Sequence, residues 1–234
     1  MSNVNYNEIG QILGVPVPNW KGALAPDGRP LHGQYCYMEK LDVDAHCNGL
    51  FEAFSKNENG SNWTYLPVGP FETEADFRGW LEIGCVNPDP FFYVIRRKSD
   101  DLILGMASYL RIDPTMGSIE VGHIHFSPLM QRTPASTECM YMMMKHAFED
   151  LGHRRYEWKC NNLNEPSKKA AERLGFSFEG VFRQMSVVKG HNRDTAWFSI
   201  LDSEWDKAKS GFEAWLSSDN FDADGKQKSS LQTK

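Results

Sequence analysis

No Cys-x-x-Cys pair occurs in this chain of 234 residues, and its five cysteines, Cys36, Cys47, Cys85, Cys139 and Cys160, are odd in number and widely spaced. That pattern argues against a zinc ribbon or a disulfide framework and predicts reduced, mostly buried thiols. No apolar run approaches the roughly 20 residues of a membrane span. The first six residues lack the basic-then-apolar order of a secretion signal, so a cytoplasmic protein with no membrane partner is expected. A basic stripe is missing too: the net charge is −6, which argues against a general nucleic-acid binder. There is no internal repeat, and no linker rich enough to split domains. What remains is ordinary for a soluble globular chain, with 24% charged and 41% apolar residues. The length suits one domain with decorations and a sizeable core.

Residues 1–34 hold no sustained period and carry Pro16, Pro18, Pro26 and Pro30. They read as an extended N-terminal arm lying over the domain, with a disordered leader as the alternative. The folded domain is expected over 35–216, and the polar segment 217–234 as a flexible tail. A first strand falls at 34–41. Asp42 or Asp44 then caps a helix whose Cys47, Leu50, Phe51 and Phe54 share one face. After a polar and aromatic loop at 57–70, Thr73 caps a second helix with Phe77, Trp80, Leu81 and Gly84 inward. Strands at 91–96 and 102–111 form a hairpin, and a third begins at Ser118. Three antiparallel strands therefore precede the first crossover helix, 135–151, which buries Met140, Met143 or Met144, Ala147 and Leu151. A strand at 155–160, a helix at 164–174, a hairpin of 178–189 with 195–201 across 190–194, and a helix through Trp205, Ala208, Phe212 and Trp215 complete the chain.

The chemistry-bearing stretch is 118–182. Its first strand ends abruptly at a helix, and Thr133-Pro134 marks that start with a hydroxyl N-cap and proline at the first helical position. Proline has no N–H to give, but Ala135, Ser136 and Thr137 still present theirs, together with two hydroxyls. Unpaired N–H groups and the positive end of the helix dipole make an anion site suited to the phosphates of a nucleotide-like ligand. The plainer alternative is a well-capped helix and nothing more.

The order of fragments resembles the acetyl-coenzyme A binding core of the GNAT-superfamily N-acetyltransferases, in particular the branch that acetylates ribosomal-protein N-termini and a range of small amines. The family's Glu-Ile-Gly strand, Pro, and Gln-x-x-Gly-x-Ala-Thr-Glu-Ala are matched by Glu120-Val121-Gly122, Pro128, and Gln131-Arg132-Thr133-Pro134-Ala135-Ser136-Thr137-Glu138-Cys139. Its Asn-x-x-Ser and Leu-Gly-Phe-x-x-Glu-Gly appear as Asn164 to Ser167 and Leu174-Gly175-Phe176-Ser177-Phe178-Glu179-Gly180. The match covers about residues 35–205. Two departures stand out: the family's central glycine is Pro134, and the tyrosine acid that many members place seven residues after the capping asparagine is Ala171.

The resemblance implies an α/β GNAT acyltransferase fold, a mixed and mostly antiparallel sheet with splayed central strands and helices on both faces. It implies acetyl-CoA as co-substrate, no metal, a primary amine as acceptor, direct attack in a ternary complex, and a monomer or homodimer. Coenzyme binding falls on His125, Phe126, Ser127, Gln131, Arg132, Thr133, Pro134, Ala135, Ser136, Thr137, Asn162, Asn164 and Ser167. The pantetheine arm would pair with exposed backbone at 125–127. Glu120 is offered as base through a water, against a structural carboxylate paired to a neighbouring strand. Ser167 is offered as the group at the coenzyme sulfur, against an ordinary first-turn residue. Trp63, Tyr65, Phe71, His123 and Arg183 are the substrate candidates; Arg193 and Asp194 lie in the same hairpin. The competing readings are edge-of-core aromatics, scaffold histidines and solvated charges. His123 and His125 alternate away from Glu120 on a regular strand, and a bulge would reverse that. Two rival functions remain: a catalytically silent acetyl-CoA-binding regulatory module, and a cysteine-nucleophile enzyme using Cys160 or Cys139.

Overall fold

A computed structural model describes residues 5–234. The chain opens with three two-residue strands, β1 (Asn5–Tyr6), β2 (Ile12–Leu13) and β3 (Leu31–His32), followed by β4 (Cys36–Lys40). Helices α1 (Val43–Ser55) and α2 (Glu74–Gly84) come next, then strands β5 (Phe91–Arg97), β6 (Ile103–Asp113) and β7 (Ser118–Phe126). Helix α3 (Pro134–Lys145), β8 (Arg155–Asn161) and α4 (Glu165–Arg173) lead to the long pair β9 (Ser177–Val188) and β10 (His191–Leu201), closed by α5 (Asp202–Leu216).

Side-chain caps start three of the helices where the sequence places them. Asp42 accepts the Ala45 N–H at 2.9 Å, Thr73 that of Asp76 at 3.1 Å, and Asn164 that of Ser167 at 3.2 Å. One eight-stranded sheet runs in the order β3-β4-β5-β6-β7-β8-β10-β9, antiparallel throughout except for β7 beside β8. Two cores flank it. One joins α3, α4 and α5 to Ile119, Val121, Tyr156, Trp158, Phe198 and Ile200; the other joins α1 and α2 to Phe92, Val94 and Met106 on the opposite face.

The parallel pair is brief. It runs from Ser118 opposite Arg155 to Val121 opposite Trp158, after which β7 continues to Phe126 and β8 to Asn161 without a ladder between them. Strand β7 also carries a bulge. Its partner register on β6 shifts between Ser108–Gly122 and Met106–His125, and His123 takes a left-handed φ of 46°. The bulge cancels the alternation expected of a regular strand, so Glu120, His123 and His125 all face the α1–α2 side.

Three details differ from the sequence reading. The last hairpin turns at Lys189-Gly190 rather than across 190–194, because His191 to Arg193 still pair with β9. Helix α3 ends in a π turn, His146–Asp150, before Leu151. The polar tail packs back on the domain: Thr233 is buried and donates to the Arg173 carbonyl at 3.2 Å, and Lys234 donates to that of Phe176 at 2.9 Å. Gly211 makes the close approach possible, since a Cβ there would collide with the Gln232 carbonyl. Phe221 and Leu231 pack against the larger core as well, and the Trp215 indole donates to the Gln227 side chain at 2.8 Å. At the other end, Trp20 donates to the Thr115 carbonyl at 2.7 Å, Ala23 to that of Pro114 and Leu24 to that of Leu151, both at 2.8 Å, before Leu31 and His32 form the outermost strand of the sheet.

Candidate active site

The start of α3 supplies the first element of the site. Thr133 is its N-cap by backbone position, but its hydroxyl donates to the Met130 carbonyl at 2.7 Å and makes no cap bond, which corrects the hydroxyl-cap expectation. The N–H groups of Gln131, Thr133 and Ser136 close turns at 3.2–3.3 Å, whereas those of Arg132 and Ala135 have no acceptor among the described residues. Arg132 is exposed, with a left-handed φ of 61°. Two free donors at the positive end of a helix suit a phosphate. Pro134 therefore removes one donor, Thr133 spends its own on Met130, and those of Arg132 and Ala135 stay available. Ser136 donates its hydroxyl to the Thr133 carbonyl at 2.7 Å, and buried Thr137 accepts from Arg173 at 3.0 Å, so Thr137 is held toward the core.

Where β7 leaves β8, the backbone at 125–127 is less open than expected. The Ser127 N–H bonds to Leu104 on β6 at 2.9 Å, and its carbonyl accepts from Met130 and Gln131. Strand alternation then points the N–H and C=O of Phe126 away from β6, toward the gap. Its carbonyl is covered by two side-chain amides, Asn62 at 3.2 Å and Gln131 at 3.1 Å, which also bond one another at 3.2 Å. The sequence reading did not single out Asn62. The His125 ring lies between Phe54 and Trp63 at centroid distances of 3.9 and 4.0 Å. Both its nitrogens and the Ser127 hydroxyl are buried without partners among the described residues. Burial pulls the His125 pKa to about 3, so the ring is neutral. Orphaned polar atoms, a covered carbonyl and free N–H groups along one gap fit a long ligand with amides and phosphates.

Glu120 sits in the middle of the sheet, 3% exposed. One oxygen, Oε2, accepts from Arg111 at 2.7 Å and faces the Lys159 ammonium at 2.8 Å, while Lys159 also reaches Glu157 at 2.7 Å. Arg155 continues the series to Glu157 and Glu179, both at 2.6 Å. Charges thus alternate across four strands, and Trp197 lies over the Lys159 ammonium at 3.8 Å. Glu120 is indeed paired to neighbouring strands, yet its Oε1 makes no contact within this network and faces the side of Gly122, which has no side chain. His123 bonds Ser108 through Nδ1 at 3.0 Å, and burial together with Arg111 and Arg193 lowers its pKa to about 4.

On the far wall, the Trp158 indole donates to the Ser167 hydroxyl at 3.0 Å, leaving the hydroxyl proton free to be donated. Asn164 caps α4, and the Asn162 N–H bonds to the Asp194 carbonyl at 2.8 Å, tying β8 to β10. Ala171 is fully buried beneath this wall and carries no acid. The thiols of Cys160 and Cys139 are both pushed up by burial, which disfavours a thiolate nucleophile at either.

The roof of the cleft is the loop at 57–71. Trp63 and Phe71 pack with Phe54, Phe77 and Trp80 in the second core, as the edge-of-core reading has it. Tyr65 donates to the Leu163 carbonyl at 3.2 Å, and Lys189 from the hairpin tip donates to that of Trp63 at 2.8 Å. Arg183 is exposed on β9, beside an open cavity of about 790 Å³ shared with Asn192 and Asp194. Arg193 lies inward of it, half-buried. Among the described residues, no three His, Cys, Asp or Glu side chains converge as a metal group would require.

Residues 38–177 match the family model described as an acetyltransferase (GNAT) domain. The chain belongs to the GNAT acetyltransferase family. It is similar to a solved GCN5-related N-acetyltransferase of Brucella melitensis, 45% identical over 91% of this chain and 96% of that one, with a TM-score of 0.89. A probable GNAT acetyltransferase of Chromobacterium violaceum is 40% identical over 83% and 96%, with a TM-score of 0.78. An uncharacterised N-acetyltransferase p20 of Bacillus licheniformis is 30% identical over 60% of this chain and 80% of its own length. The ribosomal-protein-serine acetyltransferase of Escherichia coli is 22% identical over 71% and 96%. This chain is thus a GNAT acetyltransferase, and its splayed β7–β8 pair belongs to that fold.

Proposed function

We propose that the chain transfers acetyl from acetyl-CoA to a small primary amine by direct attack in a ternary complex. The observation that carries this reading is the gap between β7 and β8, with the free N–H groups of Arg132 and Ala135 at its mouth and Ser167 on its wall. Acetyl-CoA supplies an acyl group activated as a thioester. Arg132, Ala135 and the Arg132 side chain would hold its pyrophosphate, and Phe126, once Asn62 and Gln131 release its carbonyl, would pair with the pantetheine amides. Ser167, already accepting from Trp158, keeps a proton to offer to the sulfur that departs.

An amine is protonated near neutrality, with a free pKa of about 8 to 10, so a proton acceptor helps. Glu120 fills that role through a water at its Oε1, while Lys159 and Arg111 fix the carboxylate through Oε2. A small acceptor is favoured over a protein N-terminus because the roof is tied down on three sides, at Phe126, Leu163 and Lys189. A thiol-release screen with acetyl-CoA against amino acids, polyamines, aminoglycosides and N-terminal peptides tests the reading. Release with small amines is expected; coenzyme binding without release for any amine would establish the silent-module alternative instead.

A further inference from the structure

The charged residues around Glu120 do not balance. Arg155, Lys159 and Arg111 each meet a carboxylate within 2.8 Å, on Glu179, Glu157 or Glu120. Asp89, the nearby acid on the β6 side, is engaged by the backbone N–H groups of Arg111 and Ile112, both at 3.0 Å. Arg193 is the exception. Its Nε bonds to the neutral Thr195 hydroxyl at 3.2 Å, and among the described residues it forms no ion pair.

Its placement matters as much as its lack of a partner. Arg193 shares the strand face of Thr195 and Trp197, the face that carries Lys159 and Glu120. Thr195 pairs with Asn161, the last residue of β8, so Arg193 stands just beyond that strand's end, where β7 has already parted from β8. The β9 irregularity between the Arg193–Ser186 and Thr195–Phe182 pairs, with Gln184 at a left-handed φ of 51°, kinks the hairpin at this point. A half-buried guanidinium with one hydroxyl and no counter-ion has lost hydration that the hydroxyl only partly replaces, and a carboxylate returns that loss through a bidentate pair.

We propose that Arg193, with Arg111 across the cleft, reads a carboxylate on the acceptor, so that the substrates are amines bearing an acidic group, amino acids above all, and not polyamines or aminoglycosides. This rests on the small-amine transferase reading above. Cations in the cleft repel a polyamine, and the tethered roof limits the acceptor to a small molecule.

The test pairs each of the common L-amino acids with its carboxamide, as acceptors for the wild-type protein and for Arg193→Gln, with thiol release from acetyl-CoA as the readout. The wild type should favour the free acid by at least about tenfold in kcat/KM, and Arg193→Gln should erase that preference, lowering the acid about 10- to 100-fold and the amide less than about twofold. Arg193→Lys, which keeps the charge, should restore part of the preference. Equal loss on acid and amide, or a polyamine as the best acceptor, overturns the anion site. Calorimetric titration of the same pairs into coenzyme-saturated protein reads the preference without turnover. There, equal affinity for acid and amide contradicts this inference alone, whereas thiol release from no amine contradicts the transferase reading itself.

Discussion

One face of the sheet is built in two ways. Under α1 and α2, strands β5 and β6 present Phe92, Val94 and Met106 to Leu50, Phe54, Phe77 and Leu81, with no charge between them. A few ångströms further along the same face, β7, β8 and β9 carry Glu120, Lys159, Glu157, Arg155 and Glu179 in alternating ion pairs. The apolar half loses water and gains cohesion. The charged half contributes little net stability, because desolvation offsets attraction, and its ion pairs hold each charge in place. Apolar cohesion and fixed charge thus occupy neighbouring halves of one surface.

The comparison can be broken at either half. Glu120→Gln should lower turnover by about 10²- to 10⁴-fold, the usual range for a lost general base, with a smaller loss of stability than a core truncation, because Lys159 keeps Glu157. Leu81→Ala, fully buried in the apolar half, should do the reverse, costing about 2–5 kcal/mol in a urea titration, with turnover of the folded fraction near normal. Lys159→Met leaves Glu120 and Glu157 without their shared cation and should cost about 3 kcal/mol, a loss that shrinks when Glu120→Gln is added. Ser167→Ala should reduce turnover by about tenfold or less, since a thiol with a free pKa of about 8.5 departs readily.

Acid sharpens the contrast in a different way. His123 and His125 have pKa values lowered to about 4 and about 3 by burial. An unfolded chain takes up protons on both near 6.5. The folded state therefore binds fewer protons below that point, and stability falls as pH drops from about 6.5 through 4 toward 3. Urea midpoints measured over that range should decline, and His125→Leu should flatten the decline whatever it does at neutral pH.

Local chemistry was legible in the sequence, and long-range chemistry was not. The caps at Asp42, Thr73 and Asn164 are read from a residue and its three successors. The apolar faces of α1, α2, α3 and α5 follow from helical spacing. The resemblance singled out Glu120 on the central strand and Ser167 in the first turn of its helix. Lys159 escaped notice because it reaches Glu120 across a parallel pair whose register no local signal records. The bulge puts its left-handed φ on His123 and not on the glycine before it, so residue type does not mark it. Thr133 has the right side chain for a cap and spends it on Met130. The tail docks through two isolated apolar residues, Phe221 and Leu231, together with backbone contacts, too sparse a pattern to read as an element.

The central claim is that the gap between β7 and β8 is the coenzyme site, and a crystal structure with coenzyme A addresses it most directly. The pyrophosphate should lie on the N–H groups of Arg132 and Ala135, the pantetheine should displace the Asn62 and Gln131 amides from the Phe126 carbonyl, and the sulfur should face Ser167. Coenzyme bound elsewhere, with that pair of amides still closed over Phe126, would contradict it.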